Sequence, residues 1–517
     1  MIPALIAIII AFSITAVSLT EITLNNFSIV GNSIKGQAAL NIAEAGLNYY
    51  LWHLNHNNLD YKDGQSGPAT PDPLLGYGPY VHNYIDTTGA IKGTFTIYIK
   101  PNGTGSTIVT VRSIGQTSGG KSVKRTVEAK IGSPSFASYG VVSDSALWFG
   151  STETANGPVH SNQGIRMDGV STSTVSAANK TYVPPPELGG DGYSHPGVWC
   201  DPSVTTPVNC TSRSKTDWLY PVPQIDFNQV TGSLCTIKKV AFSSDSTTSS
   251  LATQGNACSL VPTSRTAAYL PQRSSSYSLT QGYLIQLNTN GTYDLYKVNG
   301  ENDLAANYTS ALSTQLIATG ISVPASGVIY AEDNVWVRSN PTYHGRVTIA
   351  AGKLASTSSA TYANIVMADQ LLYSTKNGSD AVGLIAQDSV IMAPYAPPAS
   401  GAFNFEIDAA TLAQSGQVWY PSVYRSDSNS CTKGWTAANQ QFTFYGSVAT
   451  RQSWTWTWLF GGSQCGYAGY DPAVGYVGGV EHNSTQFDYN LQYAPPPSFP
   501  ITAGYNFLAW RQVLTHP

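Results

Sequence analysis

Residues 1–54 read MIPALIAIIIAFSITAVSLTEITLNNFSIVGNSIKGQAALNIAEAGLNYYLWHL, and this run decides how the chain is organised. From Met1 to Thr20 no side chain is charged, and Glu21 is the first that is. Twenty such residues make a helix of about 30 Å, the thickness of a bilayer's hydrocarbon core. Ile2, Leu5, Ile6, Ile8, Ile9 and Phe12 are the side chains expected to meet the membrane. Beyond the apolar run, Ile34, Ala38, Ile42, Ala45, Tyr49 and Trp52 return every three or four positions, as on one helix face. No proline falls between Ala4 and Gln65, so one helix of about 85 Å is predicted over residues 2–57. A signal segment is the alternative, but it places basic residues ahead of the apolar run. Here the first basic residue is Lys35, so the expectation is either a basic leader removed ahead of Met1 or an atypical start.

Within the amphipathic half, Ala39-Leu40-Asn41-Ile42-Ala43-Glu44-Ala45-Gly46 resembles the (A/L)xxAEAG signature of type IV minor pilins of the PilX N-terminal family. The match covers roughly residues 1–130, with Ala43, Glu44, Ala45 and Gly46 as the motif. The resemblance implies an apolar half that sits in the inner (cytoplasmic) membrane before assembly and in a filament core afterwards. It implies other pilins as partners through that helix, and an amphipathic half packed on a β-rich head. One position departs. Pilins usually carry Glu at the fifth mature position, where it pairs with a neighbour's terminal amine, and Leu5 stands there if Met1 is the mature start. Glu44 reads either as a carboxylate pairing with a neighbouring subunit or as a solvated helix position.

Downstream the pattern turns to β. After a Gly/Pro-rich connection over 60–86, three runs are strand-like: TFTIYIK (94–100), STIVTVRSIG (106–115) and SVKRTVEAKI (122–131). Asn102-Gly103 and Gly119-Gly120 supply turns, giving an antiparallel meander. Further on, segments beginning at Gly327, Gly345, Asn364, Gly383 and Ala402 share short apolar runs and polar corners at a spacing near 19. An earlier pair begins at Gly140 and Gly157. Such a period predicts a parallel β-solenoid, whose rungs bury a core only by stacking; an irregular β-sandwich is the alternative.

The chain is therefore read as α+β: a long pilin-like helix with a meander, then a mainly-β head. The expected divisions are the helix 1–58 (1–20 transmembrane), the meander 59–133, and first rungs 134–187. An inserted Cys-containing β domain over 188–320, second rungs 321–450, and an aromatic and Pro-rich end 451–517 complete them. In that end, Tyr493–Pro500 is extended because its prolines forbid helix.

Composition limits the function classes. Charged residues are 11% of the 517, against about 25% in an average soluble domain. Aromatics are also 11%, which excludes a disordered composition. Net charge is −4 and no basic stripe exists to neutralise phosphates, so no nucleic acid partner is expected. Cys200, Cys210, Cys235, Cys258, Cys431 and Cys465 show no zinc spacing. In a chain that leaves the cytoplasm they read as disulfides. Fifteen pairings are formally open, the simplest being Cys200–Cys210, Cys235–Cys258 and Cys431–Cys465; six free thiols are the alternative.

Trp454, Trp456 and Trp458 alternate with Thr, so on a strand all three rings share one face. They read as a sugar-binding platform, a core or a subunit interface. Asp144, Asp333, Asp369, Asp388 and Asp408 recur 4–6 residues after the segment starts. They read as corner turn formers, with a calcium ladder or catalysis as alternatives. No GxSxG, HExxH, P-loop or dinucleotide fingerprint in its proper context occurs. A non-enzymatic filament component without a cofactor is the leading expectation. A membrane-anchored adhesin with a cell-surface or glycan ligand comes second, and a solenoid enzyme acting on polysaccharide third.

Overall fold

The computed structural model describes residues 2–57, 60–65, 71–101, 108–119, 122–273, 278–302, 311–393, 395, 403–420, 440–460, 476–480, 482–502 and 504–513. It divides into two compact units. The first contains helix α1 (Ile2–His56) and strands β1 (Tyr77–Ile85), β2 (Ile91–Pro101), β3 (Ile108–Thr117) and β4 (Lys124–Gly132). A fifth strand, Asn506–Val513, comes from the far end of the chain. The five pair antiparallel in the order β1-β2-β3-β4-Asn506–Val513. Two of these strands were not expected. β1 lies inside the stretch read as a connection, and the fifth strand belongs to the stretch read as a C-terminal segment.

The amphipathic half of α1 packs on the meander, but through a neighbouring stripe. The buried positions are Gly36, Ala39, Ile42, Ala43, Gly46, Leu47, Tyr50 and Leu54, while Ile34 and Trp52 are exposed. Close approach explains the rotation. A Cβ on Gly46 would stand 2.3 Å from Ser113 Oγ, and one on Gly115 would stand 2.1 Å from the Ala39 carbonyl oxygen. Small residues let helix and sheet touch; Ile42, Leu47, Tyr50 and Leu54 then fill the flanks against Phe95, Ile97, Val111, Val127 and Ile131. Each large apolar side chain so buried contributes roughly 1.5–3 kcal/mol.

The second unit is a stack of parallel strands. Its larger sheet contains, in spatial order, Trp218–Leu219, Val175–Ala177, Val159–Ser161, Val141–Ser143, Gln440–Thr450, Phe403–Ala413, Ala381–Ala386, Arg346–Ala351, Val328–Ala331 and Tyr269–Leu270. A facing sheet carries Asn334–Asn340, Ile365–Met367, Val390–Met392 and Val418–Trp419, also parallel. Successive segments alternate between the two sheets, and the core lies between them. The chain enters the stack in the middle. It builds outward from Val141–Ser143 to Trp218–Leu219, crosses to Tyr269–Leu270, and builds inward until Gln440–Thr450 pairs with Val141–Ser143.

Three expectations change here. Val328, Thr348, Gly383, Ala410 and Ser447 are equivalent in register, so the repeats are 20, 35, 27 and 37 residues long rather than 19. The segment at Asn364 is the facing-sheet half of a rung begun at Arg346, because both sheets use the same kind of short apolar run. The stretch 188–320, read as an inserted domain, supplies strands to the sheets themselves. Val198–Trp199 pairs with Ile165–Met167, and Gly282–Asn288 pairs in parallel with Asn334–Asn340. The true insertion is larger. The main part of the second unit, Pro134–Ala503, occupies the connection between β4 and the strand Asn506–Val513 that pairs with it.

Corners are held by a ladder of side chains. Asn334 Oδ1 accepts from the Asn364 N–H (2.9 Å), Asn364 Oδ1 from the Ser389 N–H (3.0 Å), and Ser389 Oγ from the Gln417 N–H (3.1 Å). Each rung thus satisfies a backbone donor of the next, which buried backbone requires. The Pro-rich stretch lies along this unit: Arg346 Nη2 donates to the Ala494 and Pro495 carbonyls, and Thr348 Oγ1 to that of Pro497.

Candidate functional site

The most distinctive surface is the first half of α1. Ile2, Leu5, Ile6, Ile8, Ile9 and Phe12 are 50–76% exposed, and large apolar side chains stay exposed through Ile34. The run is long and apolar enough to cross a membrane, and its most apolar window is wholly unburied. Its hydroxyls from Ser13 to Thr23 are turned inward. Ser13 donates to the Ile9 carbonyl (2.8 Å), Ser18 to Ile14 (2.9 Å), Thr20 to Ala16 (2.8 Å) and Thr23 to Leu19 (2.7 Å); Thr15 reaches Ala11 (3.0 Å). A hydroxyl bonded to the carbonyl four residues back asks nothing of its surroundings. This cylinder is built for an environment that offers no hydrogen bonds: lipid, or the flanks of other helices.

The motif residues sit where that cylinder meets the folded part. Ala43 and Gly46 are buried against the meander, while Glu44 and Ala45 are half-buried beside them. Leu5 lies far up the exposed half. The helix end is anchored by polar contacts absent from the first half. Tyr50 donates to the Asp60 carbonyl (2.6 Å), and His53 Nε2 lies 2.9 Å from Asp60 Oδ2. His82 Nε2 lies 2.7 Å from Asp63, which also accepts from Tyr49 (3.0 Å). Burial works against the Asp60 carboxylate, but hydrogen bonds from the Lys62 N–H, His53 and the Gly64 N–H hold its pKa below the ordinary value.

Of the three alternating tryptophans, the side chains of two are described. Trp456 is 2% exposed, wedged against Phe442 and Phe444, and its indole N–H donates to Thr485 Oγ1 (3.2 Å). Trp454 packs edge-on against Trp456 and against Phe149. Trp456 belongs to the core between the sheets, and Trp454 is partly buried against it. The Trp458 side chain lies outside the described residues.

Of the recurrent aspartates, Asp144, Asp333, Asp369 and Asp388 lie at bends, as corner residues should, and Asp408 does not. Asp144 pairs with Arg451, Asp369 accepts from the Gln370 N–H, and Asp333 accepts from the Arg273 and Asn334 N–H groups. Asp408 sits buried within a strand, accepting from the Tyr373 N–H and paired with Lys376, which also pairs with Glu406. Burial raises the Asp408 pKa to about 6 in spite of that lysine. The corner ladder is Asn334, Asn364 and Ser389. The signal that could have found it is a small polar residue directly ahead of each facing-sheet run. Among the described residues, no group of three or more His, Cys, Asp or Glu is arranged to hold a metal ion. Disulfides join Cys200 to Cys210 and Cys235 to Cys258; Cys431 and Cys465 lie outside the described residues.

No family model matches this chain, and no curated protein matches it. Among solved structures, the crystal structure of the competence-associated pilin ComZ from Thermus thermophilus is similar. The match covers 93% of this chain and 97% of that one at 12% identity, with a TM-score of 0.29.

Proposed function

We propose that the chain is a non-enzymatic structural component of a type IV pilus, a minor pilin of the PilX-like kind. One observation carries the reading: the exposed apolar half of α1, with its hydroxyls bonded internally, continues without a break into a half packed under a sheet. Such a rod suits a lipid bilayer first and a bundle of similar rods afterwards. The drive for transfer between the two is helix packing, since lipid is already apolar. The precursor is then anchored in the inner membrane, and the assembled protein reaches the cell surface. The large β unit is the part displayed, for adhesion or for assembly. A head of this size does not fit at regular intervals along a tightly packed shaft, which favours a low-copy or tip position.

The test is to shear and purify filaments from cells carrying a cysteine in place of Ile9. The chain should co-purify and cross-link through that position to other pilins. A chain confined to the membrane fraction would overturn the reading. Immunogold labelling of the β unit at regular shaft intervals would overturn the tip position.

A further inference from the structure

Helix α2 (Gln229–Ser243) covers the outer face of the larger sheet, and it carries Lys238 into an apolar cluster of Leu234, Ile237, Phe242, Tyr269 and Tyr330. Lys238 is 0% exposed and Glu332 2%. The Lys238 ammonium nitrogen is in direct contact with Glu332 Oε1. That nitrogen also donates to the Cys258 carbonyl (3.0 Å), and the rings of Phe242 and Tyr330 lie 5.8 and 5.6 Å away. The Tyr269 hydroxyl donates to the same Glu332 oxygen at 3.2 Å. The Cys235–Cys258 disulfide fixes α2 within one turn of the lysine.

The geometry points to an intramolecular amide bond between Lys238 Nζ and Glu332 Cδ, formed spontaneously once this unit has folded. A buried ion pair in apolar surroundings is costly. Burial pushes the Lys238 amine down and the Glu332 carboxyl up, both towards the neutral forms the reaction needs. The ammonium proton passes to the carboxylate it touches, leaving an amine and a carboxylic acid. The amine lone pair attacks Cδ. The Tyr269 O–H donates to the carboxyl oxygen that gathers negative charge and returns unchanged. The acid proton and one Nζ proton both leave with the other carboxyl oxygen, Oε2, so one C–N bond forms, one C–O bond breaks and one water departs. No oxidant or other reagent is required. Holding the two groups together replaces a bimolecular encounter, and a dry site disfavours the reverse hydrolysis.

Lys376 is the internal contrast. It pairs with Glu406 (2.6 Å) and Asp408 (2.9 Å), but it is 40% exposed and its pKa is raised, so it stays an ammonium. The product at Lys238 would tie α2 to the rung that begins at Val328, across 94 residues of chain.

The experiment is intact-mass analysis of the full chain, purified in detergent and fully reduced so that disulfides do not contribute. The expected mass lies about 18 Da, one water, below that of the sequence. Trypsin should fail to cleave after Lys238 and should yield one branched peptide carrying Glu332. Lys238→Met and Glu332→Ala should each abolish the deficit, while Lys376→Met should leave it in place. An unshifted wild-type mass with cleavage after Lys238 overturns the proposal. So does a deficit that survives Lys238→Met. The wild-type measurement decides even if a variant fails to fold.

Discussion

The two halves of α1 share one backbone and differ in what surrounds them. Residues 36–54 are buried by their own chain, using small residues at the contact and Leu47, Tyr50 and Leu54 around it. Between residues 2 and 34 the large apolar side chains are exposed among the described residues, with Glu21, Asn25, Asn26 and Asn32 exposed in the later part. The packed half is specified by shape and ends in charged and hydrogen-bonded anchors. The exposed half is specified by composition alone and needs only to be apolar and internally satisfied. Substitutions should therefore act on fold stability in one half and on environment in the other.

The largest effect is expected from Gly46→Leu. The new side chain must displace Ser113 and Phe95, costing the first unit about 3 kcal/mol or more by chemical denaturation, beyond any helix-propensity gain. A variant of unchanged stability would show that contact to be loose. Next comes Ile9→Lys, which should leave that stability unchanged but lower membrane insertion by about 3 kcal/mol in an insertion assay. Unfolding by Ile9→Lys would show that the apolar half has a partner within the chain.

Asp60→Asn should cost about 1–2 kcal/mol near neutral pH, since it weakens hydrogen bonds made to a charged group. Its folded pKa lies below the unfolded one, so its stabilisation is present above the unfolded carboxylate range and is lost as pH falls through the folded value. The variant's acid limb should therefore be flatter than the wild type's in a series of melts at falling pH. An unchanged limb would remove Asp60 as an anchor. The smallest change belongs to Ser18→Ala, below about 0.5 kcal/mol in both assays, because its hydroxyl serves only its own helix. A larger insertion change would reveal an external partner for that oxygen.

The helix was legible because its signals are local: a charge-free run, a period near 3.6 and no proline. Its contact stripe was not. Periodicity weighs Ile34 and Trp52 above Gly36 and Ala39, whereas close packing selects the small residues. The meander's three central strands were readable from alternation and turns. The partner of β4 was not, since Lys130 pairs with Ala509 across most of the length of the chain. The stack was visible as a rhythm of short runs, but rung length was misjudged because the sequence does not say which of two sheets a run such as Ile365–Met367 joins. At the candidate site, apolar character was sufficient to place Ile2 to Phe12. The face presented by Trp454 and Trp456 depended on strands far away in sequence.

Placing the second unit inside a connection of the first also sets the order in which the molecule can be finished during synthesis. α1 and the first four strands emerge early, yet β4 keeps an open edge until residues 506–513 have been made. The domain translated first is the last to close. A chain that stops early anywhere in the β unit leaves that edge bare, so a complete sheet beside the helix reports a chain translated through Val513.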